Sequence, residues 1–91
     1  MKSYFLTLIA SRDAAIAALN AALPEANETW LLKDATSDVI AYFYLAEPEC
    51  MTPDWTIVAD LRGRHYDRDA EVISVLEKLK AQLGGMIKND A

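Results

Sequence analysis

Residues 55–86, WTIVADLRGRHYDRDAEVISVLEKLKAQLGGM, decide how this chain folds. From Trp55 to Arg62 the residues alternate. Trp55, Ile57, Ala59 and Leu61 fall on one side, and Thr56, Val58, Asp60 and Arg62 on the other, which is the period of a strand. After a charged turn the period lengthens. Val72, Leu76, Leu79 and Leu83 recur at helical spacing, with Ile73 and Val75 widening the stripe. Asp67 is the expected N-cap. Asp67, Asp69 and Glu71 crowd the start of the helix while Lys78 and Lys80 lie near its end, as the helix dipole favours. Gly84 or Gly85 supplies the residue that can turn left-handed at the C-terminus. A strand and a helix each with one apolar face must bury both against further elements.

Upstream, Val39 to Glu47 is the clearest strand. Val39, Ala41, Phe43 and Leu45 point one way, and Ile40, Tyr42 and Tyr44 the other. Glu28 to Lys33 (ETWLLK) reads as its hairpin partner across a polar turn, 34–38. Residues 48–54 (PECMTPD) form a loop whose two prolines cannot donate to a ladder. Residues 3–10 read as a strand buried on both faces rather than as the apolar segment of a secretory signal, because Arg12 and Asp13 follow at once. Ser11 is placed to cap a helix over 12–23, with Ile16, Leu19 and Leu23 on one face and Pro24 stopping it. Met86 to Lys88 adds a short edge strand.

The element order is therefore β-α-β-β-β-α with a short C-terminal β. Two helices that each follow a strand imply a two-layer α+β sandwich: an antiparallel-rich sheet with both helices on one face. The nearest common architecture by element order is ferredoxin-like, with an added hairpin strand. At 91 residues the chain, 1–91, is one domain.

Composition narrows the function. Fourteen acids against nine bases give a net charge of −5, a field that repels phosphate backbones and disfavours nucleic-acid binding. The same field would attract a basic protein partner. No apolar run approaches the ~20 residues of a membrane span. The lone cysteine, Cys50, cannot form an internal disulfide, which fits a reducing, cytoplasmic setting. One Cys and one His distant in sequence do not make a zinc site, and no glycine pattern for a nucleotide is present, so no cofactor or metal is expected. A Cys50–His65 nucleophilic pair is disfavoured by Glu47, Glu49 and Asp54, which suppress a thiolate.

Two surfaces carry the functional reading. With the more apolar alternation sets under the helices, Ile40, Tyr42, Tyr44 and Val58 line an outward face that is still largely apolar, as interfaces are. This favours a non-enzymatic interaction module, a homodimer or a binder of a basic protein. The second surface is the turn carrying Arg62, Arg64, His65 and Arg68, between a strand end and a helix start, where a small anionic ligand of an enzyme or sensor could sit. Against it, Asp60, Asp67, Asp69 and Glu71 are close enough to neutralise those arginines as solvated ion pairs.

Overall fold

The structure, a computed structural model, describes residues 2–23, 25–26, 29–33, 35–48, 54–62 and 67–89. Its elements are β1 (Lys2–Ile9), α1 (Arg12–Ala22), β2 (Glu25–Ala26), β3 (Thr29–Lys33), β4 (Val39–Ala46), β5 (Trp55–Leu61), α2 (Asp69–Leu83) and β6 (Met86–Asn89). The strands form one antiparallel sheet in the order β2-β3-β4-β5-β1-β6. The two-layer α+β sandwich expected from element order is what forms. The strand order differs from a plain four-stranded ferredoxin-like sheet, with two further strands beyond β4.

Burial follows the alternation. Ile57, Ala59 and Leu61 of β5, Ala41 and Phe43 of β4, Trp30 of β3 and Tyr4, Leu6 and Ile9 of β1 make one cluster with the helices. From α1 it takes Ala15, Ala18, Leu19 and Leu23, and from α2 Val72, Leu76 and Leu79. Both helices therefore cover the same side of the sheet. Small residues on α1 let it sit close to α2, since alanine adds little bulk between backbones. Trp30 is fixed at the far end by its Nε1, which donates to Asn20 Oδ1 at 2.8 Å.

The helix ends are built from local chemistry. Ser11 Oγ accepts from the Ala14 N–H at 3.2 Å, the expected cap of α1. The cap expected of Asp67 does not form. The residue at the N-cap of α2 is Arg68, with no side-chain cap bond, and Asp67 lies exposed one residue earlier. The acids that follow act differently: Asp69 accepts from the Tyr4 hydroxyl at 2.9 Å, and Glu71 pairs with Arg68. At the other end Gly84 (φ 74°) and Gly85 (φ 98°) both take left-handed backbone.

Two bulges depart from simple alternation. In β4, Val39 opposes Lys33 and Ala41 opposes Leu32, so Ile40 is an extra residue against β3. Ile40, expected on the outward face, is consequently 1% exposed and part of the helix-side core, next to Ala41 in the same cluster. In β1, Leu6 opposes Ile57 and Ile9 opposes Trp55, three steps against two. Leu8 falls in that bulge with φ 63° and is half exposed to solvent.

Candidate interaction surface

Both helices lie on one side of the sheet, and the register defines what the other side presents. One row runs Tyr44–Val58–Phe5–Lys88 across β4, β5, β1 and β6. A second runs Leu31–Tyr42–Asp60–Ser3 across β3, β4, β5 and β1. A third joins Ala46 to Thr56 and, beyond the β1 bulge, Thr7 to Met86. Phe5, Ala46, Thr56 and Val58 floor an open concavity of about 470 Å³, with Glu47 and Asp54 at one rim and Lys88 at the other. The large apolar side chains left exposed among the described residues are Leu8, Tyr44 and Met86.

Polar groups around the Tyr42–Asp60–Ser3 row pair with one another. Ser3 Oγ donates to Asp60 Oδ1 at 2.5 Å. Arg62 Nη1 donates to the Tyr42 hydroxyl at 2.6 Å, and its guanidinium carbon lies 5.6 Å from the ring centre. The short bond to the phenolic oxygen makes the hydrogen bond the main contact and the ring face a secondary one. Burial, then the Asp60 charge, then a hydrogen bond to Asp60 push the Tyr44 phenol above its ordinary value of 10.0. Neutral Tyr44 is thus favoured by the fold. Its contribution to stability is intact below the ordinary tyrosine range and is lost as pH rises through the raised value. An ultraviolet titration of the wild type minus Tyr44→Phe should isolate one tyrosine that ionises above 10.0, and a midpoint at or below that value would refute the Asp60 contact.

Of the residues singled out for this face, Tyr42 and Val58 are on it with Tyr44, while Ile40 is in the core. Val58 is itself only 6% exposed, so Tyr44 and Phe5 offer more of the accessible apolar surface. Phe5 and Lys88 belong to the surface without having been singled out. The alternation of β1 around Tyr4 and Leu6 hints at Phe5, but only the β1–β6 register places Lys88 beside it.

The charged turn is not drawn together into a pocket by its described members. Arg62 is engaged by Tyr42 on the outer sheet face. Arg68 grips Glu71 with Nε and Nη2, each 2.9 Å from a carboxylate oxygen. Arg64 and His65 lie outside the described residues, as does Cys50. Among the described residues no group of three or more metal-ligating side chains forms, and no helix is long and apolar enough to cross a membrane. Comparison with protein-family models, curated proteins and solved structures finds no match to this chain.

Proposed function

We propose that this chain is a small acidic protein-interaction module that self-associates through the sheet face turned away from both helices. The topology is read as a ferredoxin-like core, β1-α1-β4-β5-α2-β6, widened by the β2–β3 hairpin. The observation that carries the proposal is the row Tyr44–Val58–Phe5, an aromatic and aliphatic strip across three adjacent strands on the side of the sheet away from both helices. Such strips are covered by partners because water gains nothing from them, and tyrosine suits the position by bringing rigid area with one polar tip. A non-catalytic role in a reducing, cytoplasmic setting is part of the same reading.

Sedimentation is the direct test. The wild type should form dimers at high micromolar concentration. Tyr42→Asp with Tyr44→Asp should weaken association at least tenfold while leaving the circular dichroism of the monomer unchanged, since neither side chain is in the core. Both carboxylates would stand near Asp60, adding like charge to a surface that has to be desolvated. A wild type that stays monomeric throughout would overturn the proposal.

A further inference from the structure

Independently of self-association, we infer that β6 is a detachable strap. It leaves the sheet as a unit, hinged at Gly84–Gly85, while the rest of the fold stays closed. The core is complete without it. Among the described residues the buried cluster takes none from β6; Ile87 packs against that cluster half-buried, and Met86, Lys88 and Asn89 are exposed. A strand that removes so little apolar surface from water has little to set against the chain entropy regained when it opens.

The two sides of β1 are held unequally. Toward β5 and α2, Ser3 Oγ donates to Asp60 Oδ1 at 2.5 Å and the Tyr4 hydroxyl donates to Asp69 Oδ2 at 2.9 Å, both partly buried. Toward β6, Thr7 Oγ1 donates to the Met86 carbonyl in an exposed bond 3.3 Å long, which is weak for a hydroxyl donor. The end of α2 also closes without β6, because the Gly84 N–H donates to the Lys80 carbonyl at 2.7 Å. The hinge has room to turn. Gly84 and Gly85 both sit at positive φ, glycine crosses between the two halves of backbone space at no steric cost, and nothing lies within 4 Å of a Cβ placed on Gly84. Opening takes Met86 and Lys88 off the outer face and uncovers the flank of Leu6 with the main-chain groups of β1 from Tyr4 to Thr7. Docking of β6 therefore sets whether that edge of β1 is closed or open.

Amide hydrogen exchange of the full chain at low micromolar concentration, resolved to single amides, tests the strap. The β1 amides that point at β6 report its departure, and those that point at β5 serve as the control within the same strand. The first set is expected to exchange at least about a hundredfold faster than the second, with rates that hardly change in sub-denaturing urea, because releasing four residues exposes little surface. Equal rates for the two sets, or the steep urea dependence of global unfolding in both, would overturn the strap. Ile40→Val, at a buried position on β4, gives a second reading. It weakens the closed and the strap-open forms alike. Amides of the β4–β5 ladder should therefore exchange roughly threefold to tenfold faster while the β6-directed amides of β1 keep their rates. Acceleration of both sets by the same factor would mean that β6 leaves only when the whole fold does, and would overturn the inference.

Discussion

Gly85→Ala is expected to destabilise the chain by about 3 kcal/mol, combining backbone strain with a clash that cannot relax. A Cβ at Gly85 would stand 2.1 Å from the Thr7 carbonyl oxygen, and the backbone there has φ 98°. Thr7 cannot give way. It pairs with Met86 of β6, and the residue after it, Leu8, is already held at φ 63° by the bulge. The variant should relieve the clash by detaching β6, exposing the strand's half-buried Ile87 and the flank of Leu6. Gly84→Ala is the control. It also has positive φ, 74°, but nothing lies within 4 Å of its Cβ. Its cost should stay near the conformational penalty alone, about 1 kcal/mol. Urea unfolding of the two variants reads the difference, and a Gly85 variant no less stable than the Gly84 variant would contradict the close approach of β6 to β1.

Phe43→Ala should cost roughly 3–5 kcal/mol, at the upper end for a core truncation. Phe43 is fully buried at the centre of β4, and its cross-strand neighbours are Trp30 and Ala59. Neither can fill the space. Ala59 has only a methyl group, and the Trp30 indole is tethered by its hydrogen bond to Asn20. A cavity that cannot collapse keeps its full energetic cost. Leu45→Ala, on the same strand and only half-buried, should cost about half as much or less because water already reaches part of that side chain. A Phe43 variant losing under 2 kcal/mol would mean that the core repacks around the missing ring, contrary to this account.

Much of this architecture is legible in the residues. The alternation of 55–62, the stripe Val72–Leu76–Leu79, the Ser11 cap and the paired glycines each encode their local structure through one physical rule, and the structure places all of them as that rule requires. What escaped is register. In β4, VIAYFYLA, almost every residue can tolerate either face, so nothing in the string marks the extra residue that turns Ile40 inward. The cap expected of Asp67 fails for a similar reason, a long-range contact that the local sequence does not show. Asp67 and Asp69 flank Arg68, and what separates them is a hydrogen bond from Tyr4, 65 positions away. Phe5 and Lys88 share a surface through the pairing of the chain's two ends, a contact that no local pattern reports.

The margins of the sheet set a limit on assembly. On one side it finishes in β2, two residues long, and on the other in β6, four residues long and carrying Lys88. Neither offers enough free main-chain donors and acceptors to template a neighbour's strand, and a charged lysine there discourages the attempt. Among the described residues, adding a further strand is thereby discouraged at both borders, where the outermost strands are the two shortest in the sheet.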